Sequence, residues 1–440
     1  MRNEIRREGM VKIFDKGTAL RAAGVGVLVA LISYASEASA QTRFWLRDDS
    51  SNGIRFGTGR LHTSLEFETR YDSFAGWGRN ESGELEEVGD VVLHVKPRLD
   101  LRVPSRTLPI EGEAGLDYVG YTGAEQAWTS RQSKLNANLG FNGLWNPEGD
   151  IQIELDERFV RSDRTTNFEL GVLTISNRNQ VGLAFDVRPG GGALSLRPFL
   201  TNTVEFFEER FQESCPPGID CQGQVEPVNV NRWNYMTNTI GLNVGYQLSD
   251  RSAIVVDGKL GIHNYLEEIS QDFDTNNLRA TVGFVGLVAP KLEFRANVGY
   301  GAQLGVAEAY QDNAFGGVIG GAELAYLVTD YTRVQVGYRR DFHSSPSGLL
   351  HYTNDRVYLS GQWRFVRDFG ARLTLAYNML GFPDERSDDI LAFAIGPEYQ
   401  PSDRIAIGAN YGYLNRVSST KSPAYEYDRS EFGAYVAVRY

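Results

Sequence analysis

The stretch Val91-Val92-Leu93-His94-Val95-Lys96-Pro97-Arg98-Leu99-Asp100-Leu101-Arg102-Val103 decides the fold. Val91, Leu93, Val95, Leu99, Leu101 and Val103 fall on one face, and His94, Lys96, Arg98, Asp100 and Arg102 on the other. Successive side chains of a β-strand point to opposite faces, so this period of two makes a strand with one oily and one charged side. Working outward, the pattern recurs at 278–287, where Leu278, Ala280, Val282 and Phe284 alternate with Arg279, Thr281 and Gly283. At 292–300, Leu292, Phe294, Ala296, Val298 and Tyr300 alternate with Glu293, Arg295 and Asn297.

About eighteen such segments follow one another from 60–71 to 431–440, with the alternation most blurred at 177–188 and 194–206. Short connections carry turn chemistry, as in Pro104-Ser105, Pro189-Gly190, Ala289-Pro290-Lys291 and Arg367-Asp368-Phe369. Longer, polar connections are expected at 72–90, 207–233, 266–277 and 415–430. A soluble sandwich would turn every apolar face toward a shared core. An even count, alternating short and long connections and aromatic strand ends instead match a transmembrane antiparallel up-and-down β-barrel. Tyr71, Tyr118, Tyr246, Tyr300, Tyr326, Tyr338, Tyr377, Tyr399, Tyr411 and Tyr413 lie on its expected lipid face, where a ring can sit in the interface with its hydroxyl in water.

Composition agrees. The 440 residues include 47 Gly, 22 Tyr and 23 Phe but only 2 Cys and 5 His, with a net charge of −12. That excludes a cysteine framework or a four-thiolate zinc site, and an acidic chain argues against a nucleic-acid partner. The first 40 residues read as a signal peptide. Basic side chains from Arg2 to Arg21 precede the apolar run Ala22–Ile32, and Ala38-Ser39-Ala40 gives a small-residue cleavage pattern. Six basic and four acidic side chains leave with that segment, which takes the net charge from −12 to −14. Residues 41–59 are expected as a periplasmic leader or short plug, and 60–440 as the barrel. Cys215-Pro216-Pro217-Gly218-Ile219-Asp220-Cys221 is expected to close a small loop disulfide in an oxidising compartment.

The segment 432–440 carries Phe432, Ala434, Val436, Val438 and Tyr440 on one face. With Gly433, it resembles the aromatic-ended signal read by the barrel-assembly machinery. Parity then assigns the lumen. Glu111, Glu113, Asp117, Glu154 and Asp156 are expected on one wall, and Arg295, Arg333, Arg339, Arg356, Arg364 and Arg372 on the wall opposite. Lys96, Arg98 and Arg102 form a second basic cluster. Two readings follow: a transverse field across the pore, or charges paired with their neighbours in a polar interior.

Catalytic patterns are sparse. His62, His94 and Glu66 face inward on the first two strands, but a barrel lipid hydrolase would need its nucleophile on the lipid side. Asp272-Phe273-Asp274-Thr275-Asn276-Asn277 begins like a calcium loop but lacks the glycine at its sixth place, so a solvated turn is expected. No enzyme activity, metal or cofactor is expected. Acidic loop residues such as Glu81, Glu84, Glu86, Glu87 and Asp90 suit solvent or cations bridging lipopolysaccharide.

Tyr411-Gly412-Tyr413 followed by Glu426-Tyr427-Asp428-Arg429-Ser430, Val328-Thr329-Asp330-Tyr331-Thr332-Arg333-Val334 leading to Val336-Gly337-Tyr338-Arg339-Arg340, and Thr353-Asn354-Asp355-Arg356-Val357 carry a family resemblance. Over residues 250–440 the chain resembles the type 2 family of bacterial outer-membrane β-barrel porins, many encoded beside exopolysaccharide genes. The resemblance implies an outer-membrane conduit for exopolysaccharide export, with periplasmic export proteins and outer-membrane lipids as partners. A diffusion porin for small charged solutes and a closed structural or adhesive barrel are the alternatives. The resemblance transfers no catalytic residues.

Overall fold

A strand that is oily on one face and charged on the other is stable where hydrocarbon and water lie on opposite sides of it. Closing a ring of such strands also leaves no unpaired edge in the hydrocarbon. The computed structural model describes residues 53–79, 85–124, 129, 133–163, 174–209, 230–329, 331–345, 349–420 and 426–440. In it the chain forms a closed antiparallel barrel of eighteen strands. The short β1 (Ile54–Phe56) folds back on the start of the wall, which runs β2 (Gly59–Arg79), β3 (Leu85–Val103), β4 (Ile110–Tyr121), β5 (Lys134–Trp145) and β6 (Ile151–Ser162). It continues through β7 (Thr174–Val187), β8 (Leu194–Glu209), β9 (Tyr235–Ser249), β10 (Ser252–Tyr265), β11 (Thr275–Ala289) and β12 (Leu292–Leu304). The remaining strands are β13 (Gly316–Thr329), β14 (Thr332–Ser345), β15 (Leu350–Val366), β16 (Phe369–Gly381), β17 (Ser387–Ser402), β18 (Ile405–Ser418) and β19 (Tyr427–Arg439).

Each wall strand pairs with its neighbours in sequence, and β19 pairs with β2 from Glu431↔Asp72 to Arg439↔Ser64. Thr63 and Tyr440 exchange backbone hydrogen bonds of 3.1 and 2.8 Å below that seam. Burial is inverted relative to a soluble protein. Phe67, Ile240 and Val298 are more than half exposed on the outer surface, while Arg416 and Gln400 are buried inside. Among the described residues no helix is long and apolar enough to cross a membrane, and the crossing is made by strands.

All the strands expected from alternation are present, including 177–188, which falls in β7 except for its last residue, and 194–206 as part of β8. All four expected long connections are shortened by strand, with β8 reaching Glu209 and β11 starting at Thr275, and two of them need larger correction. Much of 72–90 is strand, because β2 continues to Arg79 and β3 begins at Leu85. Likewise 415–430 is shortened from both sides, by β18 reaching Ser418 and β19 starting at Tyr427. Above the apolar band both faces of a strand meet water, so alternation fades while the hydrogen-bond ladder continues. Within 41–59, Ile54–Phe56 pair with Leu61–Gly59. The signal segment 1–40 and the pair Cys215 and Cys221 lie outside the described residues.

At the periplasmic end the hairpins are tight. Register shifts sit beside the turns at Ser252/Ala253, Leu287/Ala289, Leu327/Thr329, Arg364/Val366 and Tyr399/Ser402. A bulge there adds local twist where the chain must reverse.

Candidate pore and its constriction

Alternation places half of every strand's side chains in the lumen. On β4–β6 these include the carboxylates Glu111, Glu113, Asp117, Glu154 and Asp156, against the basic groups Lys134 and Arg158. On β12–β16 they include Arg295, Arg333, Arg339, Arg356, Arg364 and Arg372, against Glu293, Glu323 and Asp341. In a ring of eighteen, β5 and β14 stand nine strands apart, so these walls face one another.

Most of these charges also have a partner nearby. Arg98 reaches from β3 to Glu113 at 2.7 Å and also holds Asp100. Arg197 on β8 bonds Glu154 at 2.7 Å, and Asn142 bonds its other oxygen at 3.0 Å. Lys96 lies between Glu66, at 3.0 Å, and Glu68. Arg102, opposite Glu111 on β4, is exposed at the periplasmic end. Asp156 lies opposite Gly182, where an added Cβ would meet it at 2.3 Å. On the other wall Arg295 bonds Glu293 at 2.7 Å, while Arg333 stands 3.6 Å from Glu293 and 3.7 Å from Glu323. Arg339 holds Asp341 at 3.0 Å and sits directly across from Arg356, so two guanidinium-bearing residues share one rung. Arg364 stacks over the Tyr331 ring at 3.4 Å, and Arg372 lies across from Gln362.

Three inward groups on the first strands have separate partners. His94 bonds Asp117 at 2.9 Å, His62 meets Arg439 at 3.0 Å, and Glu66 meets Lys96. Asp274 spends its oxygens on the backbone N–H of Tyr265 at 2.7 Å and on Asn264 at 3.1 Å, tying the loop to β10.

Alternation does not reveal the feature that narrows the lumen. Pairing of β13 with β14 ends at Gly320↔Arg340, whereas β14 and β15 stay paired up to Ser345↔Leu350. The upper end of that hairpin therefore leaves the wall and lies across the inner faces of β10–β12. Gly320, at φ 156°, supplies the backbone conformation at the point of departure. Arg279 donates to Asp341 at 3.1 Å and to the Phe342 carbonyl at 2.6 Å. Asn277 bonds Ser344 at 3.2 Å, the Tyr265 hydroxyl donates to the Ser345 carbonyl at 3.0 Å, and Gln303 donates to the Leu350 carbonyl at 3.3 Å. Phe342 is fully buried, stacked on Phe315 at 4.3 Å and lying over Gly301, where a Cβ would come within 2.5 Å of its ring. Glycine in a strand marks such a close approach. Those bare positions are the sequence signal that could have located the infolding.

At the closing seam, Arg429 grips Asp72 through two hydrogen bonds of 2.9 and 2.6 Å, and Arg70 bonds Glu68 and approaches Glu431 at 3.6 Å. Such bidentate pairs fix register as well as adding energy. Phe432, Val436 and Val438 face outward on β19, Tyr440 just past its end is also exposed, and Gly433 faces inward across from Arg70.

A closed sheet with an oily exterior and a charged, narrowed interior defines a porin-like channel of the outer membrane. Residues 221–440 match the family described as "Putative beta-barrel porin 2", and the chain belongs to it. No curated protein matches the chain in sequence. Among solved structures, the siderophore receptor PirA from Pseudomonas aeruginosa is 10% identical, with a TM-score of 0.43 over 88% of this chain and 81% of its own. OccAB3 from Acinetobacter baumannii is 9% identical, with a TM-score of 0.45 over 88% of this chain and 100% of its own. OccK3 from Pseudomonas aeruginosa is 11% identical, with a TM-score of 0.43 over 86% and 95%.

Proposed function

We propose that the barrel conducts charged solutes, with an acidic wall and an arginine-rich wall setting up a field across a lumen narrowed by the β14–β15 hairpin. The observation that carries this reading is the opposition of the two walls: β12–β16 present six arginines to three carboxylates, and β4–β6 five carboxylates to two basic groups. Neighbouring pairs reduce the field without removing the imbalance. Low-dielectric walls strengthen what remains. Anions track the arginine side, which also supplies planar, bidentate partners for carboxylates. The test is conductance in planar bilayers. An Arg333→Ala, Arg339→Ala double variant is expected to move the reversal potential toward cation preference. Unchanged selectivity together with unchanged conductance would sink the field.

Family resemblance favours a more specific reading, in which the solute is an acidic exopolysaccharide leaving the cell. The arginine wall supports it, because a uronic-acid polymer needs repeated basic contacts along its path. In this reading periplasmic export proteins feed the barrel, the assembly machinery inserts it through the β19 end, and lipopolysaccharide surrounds its upper rim. Deleting the gene is expected to lower secreted polysaccharide. Normal polysaccharide yield with intact conductance would leave a diffusion channel for small charged solutes, and a barrel that conducts nothing would be structural or adhesive.

A further inference from the structure

The lipid face is not uniform around the ring. Tyr118, Tyr300 and Tyr377 each stand eight residues above the first residue of β4, β12 and β16, and all are exposed on the outer surface. Eight residues at about 3.3 Å each, tilted by about 40°, reach about 20 Å up an apolar band about 25 Å tall. At the same level β7 and β8 present amides, Asn179 and Asn202. Asn202 is bonded to the outward Asn238 of β9 at 2.8 Å. Just above, Arg161 of β6 bonds Glu208 at 2.8 Å and Asn177 at 2.8 Å. Glu157, six residues above Ile151, faces outward about 15 Å up the band, at mid-depth. It has no hydrogen-bond or ion-pair partner among the described residues. From β6 to β10 the sole outward tyrosine among the described residues is Tyr246, near the periplasmic end.

A carboxylate facing hydrocarbon, as Glu157 does at mid-depth, is unfavourable because lipid tails offer it no hydrogen bonds, and the amides above it add polar groups at the tyrosine level. We infer that the outer face of β6–β9 is covered by a second copy of this chain. The patch complements itself. Each amide carries both donor and acceptor, and Arg161 and Glu208 put both signs of charge on one rim. A twofold axis along the membrane normal brings the β6 side of one copy against the β9 side of the other. Glu157 then faces the Asn202 and Asn238 amides of the partner subunit, which can donate to it. Leu155, Leu200 and Ile240, all exposed, supply the apolar contacts around these groups.

The mass of the full-length barrel in nanodiscs of outer-membrane lipid, measured by native mass spectrometry, tests this. The wild type is expected as a dimer. A Glu157→Leu, Asn179→Leu, Asn202→Leu variant, which restores the oily belt, is expected as a monomer with unchanged single-barrel conductance. Should that variant fail to fold, crosslinking decides. In a Cys215→Ser, Cys221→Ser background, Leu200→Cys is expected to link two copies through a short bifunctional maleimide, while Val436→Cys on β19 does not. A monomeric wild type, or a wild type whose patch is occupied by lipopolysaccharide co-purifying one to one, would overturn the proposal. So would Leu200→Cys linking no better than Val436→Cys.

Discussion

Gly301 and Asp90 show how single residues set the upper lumen. A Cβ on Gly301 would come within 2.5 Å of the Phe342 ring, which is fully buried and stacked on Phe315. Gly301→Val is expected to lift the β14–β15 hairpin off the wall and raise single-channel conductance. A folded, heat-modifiable barrel whose conductance matches the wild type would contradict this. Asp90 lies thirteen residues above Val103, about 33 Å along the barrel axis and thus above the apolar band. Burial pushes its carboxyl up, but hydrogen bonds from Thr129, the Gly123 and Ala124 amides and Thr122 outweigh this and hold it below the usual carboxylate range. A carboxyl lowered in the folded state stabilises above its unfolded pKa, and that contribution is lost as pH falls through the folded value. The loop between β4 and β5 is therefore expected to resist protease near neutral pH and to open only in acid below the ordinary aspartate range. In Asp90→Asn it is expected to be cut already at neutral pH.

At the scale of the element, the seam and the hairpin use the same device, side chains that bond across strands far apart in sequence. Arg429 and Asp72 are buried, and Arg429 also reaches Glu431 at 2.9 Å, so removing Arg429 takes the guanidinium from two carboxylates at once. Arg429→Ala is expected to destabilise the barrel by about 3–5 kcal/mol. The double variant with Asp72→Ala is expected to recover part of that loss in a urea-unfolding double-mutant cycle. Additive losses would show that the pair is uncoupled. In the hairpin, Phe342→Ala is expected to loosen packing worth about 3 kcal/mol, read as noisier and larger current steps. Nothing in 341–352 reveals these contacts to a reader of the sequence, because their partners Tyr265, Asn277, Arg279 and Gln303 lie many residues upstream. What alternation did reveal was the strand to which each partner belongs and the face it occupies.

For the whole molecule, sequence periodicity was enough to establish the barrel and its two faces, since within the apolar band parity fixes which side of the wall a side chain meets, whereas Phe342 in the infolded hairpin escapes that rule. Leu99 and Arg98 need no tertiary information to be placed outside and inside. Pairing was less legible. Arg197 to Glu154 and Arg98 to Glu113 depend on which strands adjoin and in what register, which alternation does not specify. The opposition of β4–β6 to β12–β16 was legible because it needs only the strand count. The selectivity proposed for it would be a property of the entire ring, so the Arg333→Ala, Arg339→Ala measurement belongs at this scale. High salt is expected to diminish the wild-type selectivity as the lumen charges are screened.

Strict two-residue alternation also governs how such a chain can change length over generations. Inserting one residue in the middle of β14 without a bulge would turn Arg339 toward hydrocarbon and Tyr338 toward water, and would do the same to every residue beyond it on that strand. Inserting two would leave both faces intact. Wall strands are therefore expected to grow or shrink in even steps, with odd ones surviving only where a bulge absorbs them, as beside the periplasmic turns. The upper loops carry no such parity, and gains and losses of any size can accumulate there.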